Sequence, residues 1–193
     1  MPYSKLLKNL TKIYSFTQEQ EEAIANCIIV RKFKKRDKFF EIGEVNRQIG
    51  FINKGLFKTY ITDQEGIKHN ISFACEDFWI TDLNSYVTSH GSLSTIECVE
   101  DAELFCFHYD DMEELYKKIP KLESHFRIMS QNRMVALYKD RFNLISLSAE
   151  ERYIKFLNEF PIFVQRISQK DIASYLGIFP ESLSRIRRNI AIR

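Results

Sequence analysis

The sequence predicts an α+β chain built in three stretches: an N-terminal antiparallel β-sandwich or barrel, one long helix, and a C-terminal helix-turn-helix. Three observations predict it. Short runs rich in aromatic and β-branched residues recur between Cys27 and His108, with turn residues between them. From about Lys121 to Leu144 the spacing becomes helical, with no Gly or Pro. Finally, Ser168 to Ile190 sets its apolar and small residues where two helices joined by a tight turn need them.

The chain has 193 residues, 45% hydrophobic and 28% charged, enough to bury a sizeable core. No run of eighteen apolar residues is present, and Met1 to Leu10 lacks the apolar run of a signal peptide, so a cytoplasmic protein without membrane partners is expected. Cys27, Cys75, Cys98 and Cys106 show no CxxC spacing; reduced, buried thiols are the simplest reading, with redox chemistry as the other. His69, His90, His108 and His125 are scattered, so neither a metal nor a cofactor is expected. A nucleophile elbow, a P-loop and paired catalytic carboxylates are missing, which argues against an enzyme. Charge is uneven. From Arg166 onward there are six basic and two acidic residues, against 22 and 24 in the rest. A basic C-terminal segment suits either a polyanion or a solvated surface.

Residues 4 to 26 read as helical, with Thr17 and Gln20 spaced as a capping box. Strand-like runs follow at Cys27–Val30, Lys38–Phe40, Ile49–Ile52, Phe57–Ile61, Ser94–Val99 and Glu103–His108. Asp63 to Gly66 reads as a hairpin turn, because Gly66 can take a positive φ. Asp110 to Glu114 is an acidic helix start, favoured at the positive end of the helix dipole. Pro120 resets the chain before the long helix. There Leu122, Phe126, Met129, Arg133 and Ala136 follow a four-three-four-three spacing. Such a seam fits a dimer interface through Leu122, Phe126 and Met129, and equally a helix packed within its own chain. Ser148 and Glu151 form a second capping box, whose helix should run to Phe160 and stop at Pro161.

In the last segment Ser168 can cap a helix, with Asp171 three residues on. Ile172 and Leu176 share a face, Ala173 allows a close crossing, and Gly177 can end the helix sharply. Pro180 suits a first helical position, and Leu183, Ile186 and Ile190 form the buried face of a second helix. Its other face carries Glu181, Ser182, Ser184, Arg185, Arg187 and Arg188. Arg can bond a guanine edge, Glu can accept from cytosine, and Ser can reach base or phosphate. These residues, with Ser168, are the candidate DNA contacts.

The run Leu176-Gly177-Ile178-Phe179-Pro180-Glu181-Ser182-Leu183-Ser184-Arg185-Ile186-Arg187 resembles the recognition motif of the Crp/Fnr family of transcription regulators. Phe51 to Gly55 and Asp63 to Gly66 resemble that family's β-roll hairpins, and Ser146 to Tyr153 its linker. The resemblance implies a β-roll of the cyclic-nucleotide-binding type over residues 1–120, a dimerisation helix over 121–145 and a DNA-binding domain over 146–193. It further implies a homodimer on near-palindromic double-stranded DNA, with RNA polymerase as a partner. Three departures stand out. Pro180 replaces a basic residue that precedes the motif's Glu. The usual C-terminal wing hairpin is missing or truncated. In the effector pocket, nucleotide-binding members carry Gly-Glu-Leu and an Arg ten residues after the Glu. Here the matching residues are Thr81-Asp82-Leu83 and Ser92, and Ser92 cannot neutralise a phosphate. A degenerate pocket that does not hold cyclic AMP is expected, its effector unknown. The competing reading is an effector-binding module whose C-terminal hairpin contacts protein rather than DNA.

Overall fold

The computed structural model describes residues 3–192, with side chains as far as residue 190. Expectations that touch Met1, Pro2 and Arg193 lie outside the described residues. The first helical stretch is two helices, α1 (Ser4–Leu10) and α2 (Gln18–Asn26). Thr17 starts α2: its hydroxyl accepts the Gln20 N–H, and Gln20 Oε1 accepts the Thr17 N–H, so each satisfies a donor the helix leaves unpaired.

Eight strands follow: β1 (Ile29–Phe33), β2 (Lys38–Phe40), β3 (Gln48–Lys54), β4 (Phe57–Thr62), β5 (Lys68–Ala74), β6 (Trp79–Ile80), β7 (Thr95–Cys98) and β8 (Ala102–His108). A short helix, α3 (Leu83–Thr88), lies between β6 and β7. The strands form two antiparallel sheets, in the orders β1-β8-β3-β6 and β2-β7-β4-β5, and among the described residues no closed barrel. Gly66 has φ +80° in the β4–β5 turn, as the hairpin requires.

The central strands of the first sheet, β3 and β8, are buried on both faces. Leu104 and Cys106 of β8 join Phe33, Phe39, Phe57 and Ile96 in the core between the sheets. Their neighbours Phe105 and Phe107 join a second core with Phe51, Leu6, Leu10 and Ile24. Burial on both faces explains why β3 and β8 read as continuous apolar runs rather than alternating ones.

After β8 come α4 (Tyr109–Lys118) and the 27-residue α5 (Pro120–Ser146), about 40 Å long. The seam at Leu122, Phe126 and Met129 faces its own chain. Leu122 and Phe126 are buried in the second core, and Met129 packs against it. The Phe126 ring meets Trp79 edge-on with centroids 4.8 Å apart. Of the two readings the spacing left open, a dimer interface or packing within the chain, these residues take the second: heptad spacing marks an apolar face but not what covers it. Further along α5, Val135, Tyr138, Phe142 and Ile145 repeat a three-four-three spacing and are exposed, Tyr138 at 70% and Ile145 at 77%.

Four helices complete the described residues: α6 (Ala149–Glu159), α7 (Pro161–Arg166), α8 (Gln169–Tyr175) and α9 (Pro180–Ile192). Ser148 and Glu151 form the expected capping box at α6. Pro161 does more than end that helix; it opens α7 as its first residue, where a missing N–H costs nothing. A third core joins Tyr153, Phe156, Phe163, Ile167, Ile172 and Leu183 of these helices to Leu56, Phe73 and Cys75 beside the second sheet. Arg166 pins the same junction. Its guanidinium takes Glu76 through two hydrogen bonds, of 2.9 and 3.1 Å, and also binds Glu100. Arg166→Met keeps the stem and removes these charge-assisted bonds, leaving two carboxylates side by side. It should cost about 1–3 kcal/mol of stability, read as a lower urea midpoint. An unchanged midpoint would show that the pin contributes nothing.

Candidate nucleic-acid interface

α8 begins at Ser168, whose hydroxyl accepts the Asp171 N–H at 3.1 Å and donates to Asp171 Oδ2 at 2.6 Å. It ends on Gly177 at φ +67°. There the Gly177 N–H donates to the Ser174 carbonyl and the Ile178 N–H to the Ala173 carbonyl, the paired bonds of a Schellman motif. Only glycine takes that φ without strain. Pro180 opens α9, and the Leu183 N–H donates to the Phe179 carbonyl at 3.1 Å as the first bond of the new helix. Ile172, Ala173 and Leu183 are buried where the two helices cross, and Ile186 and Ile190 pack against them.

That packing turns the polar side of α9 outward. Glu181, Ser184, Arg185, Arg187 and Arg188 are exposed and Ser182 is half-buried. Among the described residues no ion pair engages the three arginines. Glu181 and Arg185 lie one turn apart on one face. Ser168 is exposed as well, but its single hydroxyl proton is committed to Asp171, so its local role is that of a cap.

The first helix of the pair is docked on the second sheet. The Asn70 N–H of β5 donates to Ser174 Oγ at 2.9 Å, and that hydroxyl donates to the Lys68 carbonyl at 3.2 Å. Asn70 Nδ2 reaches Asp171 Oδ1 at 2.9 Å, and Lys58 Nζ reaches the same oxygen at 3.1 Å. Lys58 also pairs with the buried Glu97 at 3.5 Å, and Glu97 accepts from Tyr60. These partners lie about a hundred residues apart in sequence, and no local pattern marks them.

The four candidate effector-pocket residues are brought close, but they bind one another's surroundings. Thr81 Oγ1 donates to the Gln48 carbonyl at 2.9 Å. Asp82, 7% exposed, caps α3 by accepting the Ser85 N–H, and its other oxygen accepts the Leu93 N–H, the Ser94 N–H and the Ser94 hydroxyl. Ser92 is buried and donates to the Glu44 carbonyl at 3.0 Å. Leu83 is 66% exposed. Ser94, which the sequence reading did not single out, thus supplies two of the four donors to Asp82. The cysteines are free, and burial pushes the Cys106 thiol up to about 12 and Cys98 to about 11, where neither is a ready thiolate. Among the described residues no cluster of metal ligands occurs, and no helix is long and apolar enough to cross a membrane.

No family model matches the chain. Two curated proteins are similar to it in sequence. The fumarate and nitrate reduction regulatory protein of Vibrio cholerae is 26% identical over 174 residues, covering 82% of this chain and 68% of that protein. The anaerobic regulatory protein of Haemophilus influenzae is 26% identical over 185 residues, covering 87% and 70%. Two solved structures share the fold. FixK2 from Bradyrhizobium japonicum aligns with TM-score 0.76 at 15% identity, over 86% of this chain and 85% of that one. The c-di-GMP-responsive regulator CLP of Xanthomonas campestris aligns with TM-score 0.75 at 12% identity, over 91% and 92%. In sequence and in fold the chain is similar to regulators of the Crp/Fnr type, and its relatives are regulators rather than enzymes.

The docking contact carries a pH signature. Burial pushes the Asp171 carboxyl up, but hydrogen bonds from Ser168 and Asn70 and the Lys58 ammonium outweigh it and hold the group below its ordinary 3.8. Glu76 follows the same pattern: burial raises it, and the bonds from Arg166 and the Gly55 N–H bring it below its ordinary 4.5. Both groups are therefore lower in the folded chain than in the unfolded one. Their stabilisation is present above those ordinary values and is lost as pH falls below them. Thermal unfolding from about pH 6 to about pH 3 should show wild type losing more stability than Asp171→Asn or Glu76→Gln. Parallel curves would exclude these two groups as the source.

Proposed function

We propose that this chain is a sequence-specific DNA-binding transcription regulator of the Crp/Fnr type, acting in the cytoplasm as a homodimer on a near-palindromic site. The supporting observation is the exposed Glu181, Arg185, Arg187 and Arg188 face of α9, on a helix whose opposite face is packed against α8. A helix of this kind fits the major groove with its N-terminal half against the bases. Arg185 then reads a guanine, Glu181 accepts from a cytosine, and Arg187 and Arg188 meet phosphates. Ser182 and Ser184 lie near enough to the same turn to add base or phosphate contacts. Ser168, exposed ahead of α8, completes the candidate contacts.

In this reading residues 1–120 are the sensor, 121–145 the dimer helix and 146–193 the DNA-binding part, with RNA polymerase met at the promoter. The sensor works without cyclic AMP. A cyclic phosphate is an anion, and burying it beside Asp82 with Ser92 in place of an arginine leaves its charge unpaired.

The partner for the exposed row of α5 is a second copy of this chain. Val135, Tyr138, Phe142 and Ile145 repeat at coiled-coil spacing, and a two-fold axis along them brings two such rows together. Light scattering should give a dimer at micromolar concentration, and Phe142→Glu with Ile145→Glu should give a folded monomer. A monomeric wild type would remove the dimer from the reading.

Two α9 helices in such a dimer reach successive major grooves about 34 Å apart. Selection from a randomised DNA library should then recover a near-palindrome. Arg185→Ala should lose about 1–3 kcal/mol and relax preference at one base pair per half-site. Arg188→Ala should weaken every sequence alike and lessen the salt dependence. If wild type enriches no sequence and Arg185→Ala binds DNA as well as it does, the hairpin is a protein-contact element instead.

A further inference from the structure

The tip of α9 carries a side chain that none of the packing uses. Phe179 is 78% exposed, the most exposed of the large hydrophobic side chains among the described residues. It stands in the turn, immediately ahead of Pro180 and two residues ahead of Glu181. Neighbouring apolar residues are absorbed: Ile178 packs into the third core, and Leu183 is 1% exposed.

Its backbone is fixed from both sides. On one side the Schellman bonds hold Gly177 and Ile178. On the other, Pro180 restricts the residue before it to extended backbone, and the Phe179 carbonyl is tied to the Leu183 N–H. An aromatic ring on so rigid a post loses little backbone freedom on meeting a surface. Exposing it to water has no folding benefit, so its use lies in what the helix tip meets.

We propose that Phe179 is a specificity residue: its ring packs on the C5-methyl group of one thymine per half-site as α9 enters the major groove. This inference rests on the DNA reading proposed above. A phenylalanine has no hydrogen-bond donor or acceptor, so it is blind to the polar edges of the bases. The one apolar feature of the major-groove floor is the thymine methyl, which marks A·T from T·A and from both G·C orientations. Glu181 and Arg185 select cytosine and guanine by polar contacts, and Phe179 adds a thymine to the same half-site by an apolar one. Pro180 supports the assignment: with no N–H and no charge it brings nothing that competes for a phosphate, leaving the ring the leading group at the tip.

The test removes the methyl group and nothing else. Each thymine of the site selected by wild type is replaced in turn by deoxyuridine, and binding is titrated at fixed salt for wild type and for Phe179→Ser. Wild type should bind about fourfold more weakly at one thymine position per half-site, the worth of one buried methyl group. Phe179→Ser should bind the thymine and uracil forms equally, while keeping its preference for the Arg185-dependent guanine. A wild type that selects a site yet ignores every thymine-to-uracil change overturns this inference alone. So does a Phe179→Ser protein that keeps the methyl dependence. A wild type that selects no sequence overturns the DNA reading, and this inference falls with it.

Discussion

The placement of α9 depends on one contact, the docking of α8 on the edge of the second sheet. β5 is the last strand of that sheet, and an edge strand exposes unpaired N–H and C=O groups. Ser174 supplies the missing partner. Its hydroxyl accepts the Asn70 N–H and donates to the Lys68 carbonyl, doing with one side chain what a neighbouring strand would do with its backbone. Asp171, one turn earlier, takes Asn70 Nδ2 and the Lys58 ammonium. The edge is thereby closed to further strands, and α8 is held in one register against β5. α9 inherits its position from α8 through the Gly177 turn and the buried Ala173 and Leu183 crossing.

Surface ion pairs are weak in general, and the Lys58 pair is useful here because of its company. Glu97 is 8% exposed and accepts from Tyr60 while facing Lys58 and Lys68. Truncating any member leaves a partly buried charge without a partner, which costs more than the pair contributes. Leu56, Phe73 and Cys75 lie in the same apolar cluster as the C-terminal helices. Hydrophobic burial supplies the attraction, and the polar bonds fix the orientation. A similar division holds around Asp82. Four protein donors saturate a carboxylate that would otherwise be free to accept from a ligand hydroxyl.

Much of this was legible in the sequence wherever a local pattern has one structural answer. The Thr17 and Ser148 capping boxes, the Gly66 turn and the Ser168-to-Ile190 hairpin formed as their residue types require. The candidate reading residues Glu181, Arg185, Arg187 and Arg188 are exposed because Leu183, Ile186 and Ile190 take the other side of the helix. Other features were not legible. β6 has two residues and α3 six, too short for any periodicity to appear. The bonds from Lys58 and Asn70 to Asp171 cross more than a hundred residues, and spacing carries no information over that range. What covers the α5 seam was not legible for a different reason. α5 is apolar on the side of Leu122 and Phe126 near its start and on the side of Tyr138 and Phe142 near its end. A periodicity read from the first half finds the intramolecular face and misses the exposed one.

That change of face along α5 has a mechanical consequence. The first turns of α5 are anchored in the β core through Phe126 and Trp79, and its last turns lead through Leu147 into the capped start of α6. Arg152 closes the corner, donating to the carbonyls of Leu147 and of Leu176 in the turn region beyond α8. The second half of α5 is therefore held at both ends while its apolar row stays open to solvent. In the proposed dimer the two-fold axis runs along that row, and each α9 is tied to the axis by short, capped connections instead of a free linker. Half-site spacing then follows from packing within each chain. On the proposed DNA reading, a substitution at Ala173, Gly177 or Arg152 would move α9 relative to the axis without touching any of the proposed DNA contacts, and would blur the preferred spacing of the half-sites while leaving the half-site sequence itself unchanged.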